Sequence, residues 1–173
     1  MKKTLTISLF LACSLMAADY SNVIEHPDAT EIIKKDLLPP ATAYTMPANC
    51  VTTNADSIAR GAYIFHNLNG KKAKKNPPKG LSRKQNNKVK QYGNCVACHD
   101  IEGSVGPGNI GPSLVDYKTM FVRSGVRDAQ FVYQKIADPR IDNPNTHMTI
   151  NMTNGLFSES EVCDLTSYIL APK

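Results

Sequence analysis

The chain has no tryptophan, and only 7% of its residues are aromatic. A core with so few large rings lacks the usual source of apolar bulk. Long hydrophobic runs are also missing. Leu5 to Met16 is the one uncharged apolar stretch of note, and it is too short to span a bilayer. No membrane span is therefore expected. The sequence has one C-x-x-C and no H-x-x-x-H, which removes the second ligand pair of a common zinc site. It has no internal repeat and no convincing strand pattern, so an all-α architecture is expected. Acid is absent from Lys71 to Lys90, which holds nine Lys and Arg. Aromatic side chains are absent from that stretch too, so bases would find nothing to stack on and nucleic acid is not expected as a partner.

The start of the chain reads as an address. Lys2 and Lys3 precede the short apolar run, and Ala17-Ala18 supplies small residues before Asp19. This pattern predicts a signal peptide over residues 1–18 and a protein exported to a bacterial periplasm. Phe10-Leu11-Ala12-Cys13 faintly resembles a lipoprotein cleavage box, which leaves lipidation at Cys13 as the alternative. About 155 residues would remain, enough for one domain with its own core.

What the chain does have is Cys95-Val96-Ala97-Cys98-His99. C-x-x-C-H is the attachment signature of c-type haem. Two thiols three residues apart share one face of a helical turn and can each add to a vinyl group of one porphyrin. His99 then lies where an imidazole nitrogen can bind the iron. One covalently held haem c per chain would supply the bulk that the aromatics do not, and the apo-protein is expected to fold poorly. The rival readings are a thioredoxin-like redox pair and half of a zinc site. A thioredoxin-type pair should open a long helix, whereas here a glycine-rich loop follows.

Of five cysteines, Cys13 leaves with the signal and Cys95 and Cys98 hold haem. Cys50 and Cys163 remain, as a disulfide in an oxidising compartment or as two separate buried thiols. The charge is local as well. The mature chain carries 18 basic and 15 acidic residues, and without residues 71–90 the balance is 9 to 15. That basic run reads as a solvated, mobile loop, or as a docking surface that steers an acidic partner.

The pattern predicts an arm over residues 19–55, with one short helix near Ala29 to Leu37. A main domain follows over 56–173, with the basic insertion at about 70–90. A first helix is expected from Asp56 to Asn67, with Ile58, Ala59, Ala62, Tyr63 and Phe65 on its apolar side. Gly61 in its middle suggests a close backbone crossing. Asp128 should cap a helix ending at Ala137. Ser158 and Glu161 form a capping box for a last helix that buries Val162, Leu165, Tyr168 and Ile169.

Helix, C-x-x-C-H, loop, helix, loop, helix resembles the order of class I cytochromes c, over roughly residues 56–171. The resemblance implies that fold: three to five helices around one covalently bound haem, with an added arm and basic loop. It matches Gly61, Phe65 and Tyr168 to the family's helix crossing, and Gly111-Pro112-Ser113-Leu114 to its Gly-Pro-x-Leu segment. Pro112 would then accept a hydrogen bond from His99; a simple turn proline is the alternative. The sixth iron ligand is expected in the loop before the last helix. Met148 is the first candidate, Met152 the fallback, and His147 a third choice that would lower the potential. His66 and His26 read as structural or exposed. Arg123, Arg127 and Arg140 could meet haem propionates or be plain surface charges.

Tyr92-Gly93-Asn94, Ile136-Ala137-Asp138-Pro139-Arg140 and Asn143-Pro144-Asn145-Thr146-His147-Met148 resemble more narrowly the X subunit of the SoxAX cytochrome complex of the bacterial sulfur-oxidising pathway. Two departures are Thr149, where the family has proline after its methionine, and the long lysine-rich insertion. The resemblance implies a heterodimer with a SoxA-type haem subunit that carries the reaction site of an L-cysteine S-thiosulfotransferase. There thiosulfate is joined oxidatively to a cysteine of a SoxYZ-type carrier. This chain would be the electron-transfer subunit, with no catalytic residue of its own, passing electrons to a downstream cytochrome acceptor. A freestanding diffusible cytochrome c is the alternative, and an open-site haem enzyme a third reading.

Overall fold

The structure is a computed structural model that describes residues 39–172. The expected signal peptide, Cys13, His26 and the short helix near residues 29–37 lie outside the described residues. The described part is mostly helical. Three α-helices, α1 (Ala55–His66), α2 (Ala129–Ala137) and α3 (Glu159–Leu170), are joined by short 3-10 and π-helical turns and one two-stranded hairpin.

Local chemistry sets each helix start. The Asn54 side chain accepts hydrogen bonds from Asp56 N and Ser57 N and opens α1. Asp128 Oδ1 accepts from Phe131 N at 2.7 Å and opens α2. At α3 the capping box is complete: Ser158 accepts from Glu161 N, and the Glu161 carboxylate accepts from Ser158 N at 2.9 Å.

Helices α1 and α3 cross at Gly61. A Cβ placed there would fall 2.7 Å from the Tyr168 Cβ and against the Asp164 carbonyl, so only glycine lets the two backbones come so near. Phe65 packs edge-on to Tyr168, with ring centroids 5.5 Å apart. The expected stripe of α3 is buried, and Asp164, Thr166 and Ser167 are buried with it. Asp164 is satisfied by Ser57 Oγ at 2.6 Å and by two nitrogens of Arg60 at 2.7 and 2.8 Å. On α1 the stripe is shifted from its expected position. Ile64 is buried and Ala59 is exposed, because the face is centred on Gly61.

Cys50 and Cys163 are joined in a disulfide, with Cα atoms 4.8 Å apart. The bond closes 113 residues of chain between the arm and α3. By loop entropy this constrains the unfolded state by about 4–5 kcal/mol.

The basic run differs from a mobile loop. β1 (Lys84–Gln85) and β2 (Lys88–Val89) pair antiparallel across Asn86-Asn87. Both asparagines have positive φ, 51° and 59°, which is the type I′ turn that suits hairpin twist. Arg83 turns inward and donates to the carbonyls of Gly70, Ala73 and Lys75. Tyr63 and Tyr92 also donate into this segment, to Lys75 O and Ser82 O, each at 2.7 Å. Lys90 is only 6% exposed and pairs with Glu161 at 2.8 Å. Of the nine basic residues, Lys90 thus ties the segment to the body and Arg83 braces it from within.

Residues 39–54, read from sequence as part of an arm, belong to the same compact unit as the helices. On α2, Gln130, Gln134 and Asp138 follow one another at four-residue intervals. They accept hydrogen bonds from Met46 N (2.7 Å), Tyr44 N (2.7 Å) and Thr42 N (3.1 Å). Four helical residues rise about 6.0 Å and two extended residues about 6.6 Å, so a straight segment can match a straight helix face bond for bond. Gln130 and Gln134 donate back to Tyr44 O and Thr42 O.

Candidate functional site

The haem-signature turn is held from both sides by backbone. Tyr92 N, Gly93 N and Asn94 N donate to Leu68 O, Ile64 O and Asn67 O, which extends the end of α1 into the motif. Asn94 takes a left-handed conformation, φ 46°, and starts the 3-10 turn Cys95–Ala97. From the other side Gly108 N donates to Val96 O and Gly111 N to Cys98 O, both at 2.9 Å. The glycine-rich loop after the motif is therefore a strap across it.

That strap places the imidazole. His99 Nδ1 lies 2.8 Å from Pro112 O. A carbonyl oxygen can only accept, so Nδ1 carries the hydrogen and Nε2 keeps its lone pair. The ring also lies flat against Gly111. A Cβ at that position would fall 2.6 Å from Nδ1 and 2.8 Å from Nε2. Any larger residue would displace the ring.

Cys95 and Cys98 are free thiols, both half-buried. Burial pushes the Cys95 thiol up to about 12. A redox or nucleophilic cysteine needs the opposite shift, toward thiolate at neutral pH. Among the described residues no group of three or more His, Cys, Asp or Glu side chains is placed to hold a metal ion.

The stretch beyond the motif is only partly covered: Leu114, Tyr117, Val122 and Ala129 pack against the core. No residue between Ile101 and Val132 is buried, although the stretch is rich in apolar side chains. Val105 is 94% exposed, Ile110 79% and Val126 66%. The π-helical turn Lys118–Arg123 lies in it, an element absent from the sequence expectation, and leaves Met120 exposed. Free thiols in one turn, an imidazole with an available nitrogen and uncovered apolar side chains together suit a large flat apolar group held covalently.

The two candidate methionines differ. Met152 packs against the core, and its sulfur lies 3.5 Å from the Tyr133 hydroxyl, which donates to it. Its backbone is fixed as well. Asn151 N and Met152 N donate to Ala137 O, and Asn151 Nδ2 donates to Ile136 O, so this loop caps the open carbonyls at the end of α2. Met148 is half-buried, is not among the side chains packed on the core, and is bonded through its backbone N to Thr146 Oγ1 at 3.1 Å. No hydrogen bond links His99 to either sulfur.

Asp138 is the anchor of this loop. Its side chain is 0% exposed. It accepts from Thr153 Oγ1 at 2.7 Å, from Thr42 N, and from Arg140 at 2.8 and 3.0 Å. Burial alone would raise this carboxyl. The bonds from Arg140, Thr153 and Thr42 outweigh it and hold Asp138 well below the usual carboxylate range.

The remaining candidates sort by what they touch. Arg140 is turned into Asp138 and the carbonyls of Pro39 and Pro40, and is committed to the arm rather than to an outside anion. Arg127 stacks on Phe131 at 3.9 Å. Arg123 borders a cleft of about 410 Å3 shared with Glu102, Asp116 and Tyr117. His66 Nε2 lies 2.8 Å from the Tyr168 hydroxyl at the helix crossing, and His147 is exposed. No helix among the described residues is long and apolar enough to cross a membrane. No protein-family model matches the chain, and no curated protein matches it.

Proposed function

We propose that the chain is a monohaem c-type cytochrome of class I type, exported to the periplasm, and the electron-transfer subunit of a SoxAX-type complex. The observation that carries the reading is the motif turn itself: two free thiols, and a histidine whose Nδ1 is tied to Pro112 O so that Nε2 is the available nitrogen. The exposed apolar side chains of Val105, Ile110, Met120 and Val126 support it, since a covalently held porphyrin would lie against such side chains.

When bound, haem c supplies the uptake and release of one electron. The protein's part is to hold and tune it. Cys95 and Cys98 would make the two thioether bonds. His99 would ligate through Nε2, and the Pro112 carbonyl would fix its ring and raise its basicity. Met148 is the sixth ligand in this reading, supported by the Met152 sulfur being engaged with the core and Tyr133. A thioether there would favour the reduced iron and raise the potential. His99 and Met148 would then both be given to the iron, which suits electron transfer and leaves thiosulfate chemistry to a partner subunit.

Two measurements test this. Pyridine haemochrome assay of the exported protein should give one haem c per chain, and mass spectrometry should place it on Cys95 and Cys98; an unmodified peptide overturns the reading. Purification from the native cell should bring down a second haem subunit that joins thiosulfate to a carrier cysteine. Recovery as a lone haem protein would select the freestanding carrier instead.

A further inference from the structure

The lysine-rich segment is ordered, and only two of its basic residues, Arg83 and Lys90, are turned inward. Arg83 donates to three carbonyls beneath it, and Lys90 pairs with Glu161 on the first turn of α3. The side chains of Lys71, Lys72, Lys74, Lys75 and Lys79 are exposed and carry no ion pair. Lys84 and Lys88 on the hairpin are the same, and in the β1–β2 register Lys88 faces Gln85 rather than an acid. Like charges held on a fixed hairpin repel one another. A segment that merely needed to be soluble would relieve this by fraying or by interleaving acids. Here tyrosine and arginine bonds to the backbone hold the charges together, while the rest of the mature chain is acidic, 9 basic to 15 acidic residues.

We infer that the Lys71–Lys88 face is a preformed docking platform for an acidic face of a second, different protein. A membrane surface fits less well, because apolar wedges are nearly absent. Val89 is the one large apolar side chain between Lys71 and Lys90 exposed to that degree, at 42%. The platform is also tied to the haem-signature turn. Lys90 is five residues before Cys95, and Asn69 pairs with Gln91 at the hairpin base. A partner held on the lysines is thereby held at a set distance from the motif. The inference does not require haem, since it stands on the hairpin and its charges.

The test uses the full chain as exported. Water-soluble carbodiimide is added to an extract of the native cells, and the amide links formed between lysines and carboxylates are mapped by mass spectrometry. The partner found is then purified and its affinity measured against salt. The expected result is links from Lys71–Lys88 to one carboxylate cluster on one protein. Its affinity should fall at least about tenfold from low to physiological salt, and fall as far in the variant K74E/K75E/K84E/K88E at low salt. The arginine counterpart K74R/K75R/K84R/K88R should keep the affinity, and both variants should keep the wild-type Tm, because these ammonium groups have no internal partner. The inference is overturned by links no more frequent than those from Lys118, by links chiefly to a second copy of this chain, or by charge-dependent binding to phosphatidylglycerol vesicles without a protein partner.

Discussion

Two regions that both carry apolar side chains behave in opposite ways. Where α1 crosses α3, even polar side chains are sealed: Asp164, Thr166 and Ser167 are buried and bonded. Between Ile101 and Val132, even valine and isoleucine stand open, and nothing is buried. The first region has a glycine that lets two backbones touch, so its core closes on itself. The second has a strap and a π-helical turn, and they leave Val105, Ile110 and Met120 exposed while Leu114, Tyr117 and Val122 reach the core.

The largest expected effect breaks the second region alone. In His99→Ala, and in the double variant Cys95→Ala/Cys98→Ala, the haem absorbance should vanish or lose its normal form. Hydrogen exchange should then quicken across residues 102–131, while α1 and α3 stay protected. Uniform quickening would mean that the two regions are not separable. Next in size is the first region's own lock. Gly61→Ala forces the helices apart and should cost about 1–3 kcal/mol in denaturant unfolding. Reducing the Cys50–Cys163 disulfide should cost about 2–5 kcal/mol. Neither change should move the haem spectrum if the crossing is independent of the site.

An effect of similar size comes from Asp138, which lies outside both regions and ties the arm to the methionine loop. Its carboxyl is held below its unfolded value, so its contribution is complete above the unfolded pKa of about 3.9 and is lost as pH falls through the lower folded value. Asp138→Asn leaves Arg140 short of its partner and should cost about 3 kcal/mol at neutral pH. The gap between variant and wild type should narrow as pH falls below about 4. A gap that stays constant with pH would mean that Asp138 acts by shape alone. The smallest change in stability should come from Met148→Ala, and it carries the sharpest reading. Loss of the far-red sulfur-to-iron band with little change in Tm would assign the sixth ligand to Met148. The same loss in Met152→Ala, with Met148→Ala unchanged, would move it.

Features coded within a few residues were legible in the sequence. The Ser158/Glu161 capping box, the Asp128 cap and Gly61 at the crossing each depend on local chemistry, and each is found in place. The Cys50–Cys163 pair was reached by counting. What escaped depends on distant partners. Lys90 and Arg83 read as two more solvated charges, since neither Glu161 nor the carbonyls of Gly70 and Ala73 can be inferred from the run itself. The hairpin did leave a sign, because Asn86-Asn87 suits a type I′ turn, but the flanking lysines hid the short strands. Asp138 reads from sequence only as a residue of a motif, and Arg140 as a propionate partner or a surface charge. Their bonds to Thr42, Thr153, Pro39 and Pro40 make them a clamp between the arm and the methionine loop.

The ladder between α2 and residues 42–46 also writes a substitution rule. Thr42, Tyr44 and Met46 each give their amide hydrogen to Asp138, Gln134 or Gln130, while Ala41, Ala43 and Thr45 are exposed and donate to nothing. Proline, which has no such hydrogen but suits extended backbone, is therefore compatible with the odd positions and barred from the even ones. The chain's own prolines at 39, 40 and 47 stop on either side of the ladder. Among relatives of this chain, a proline at 42, 44 or 46 would mark a branch that holds its arm some other way.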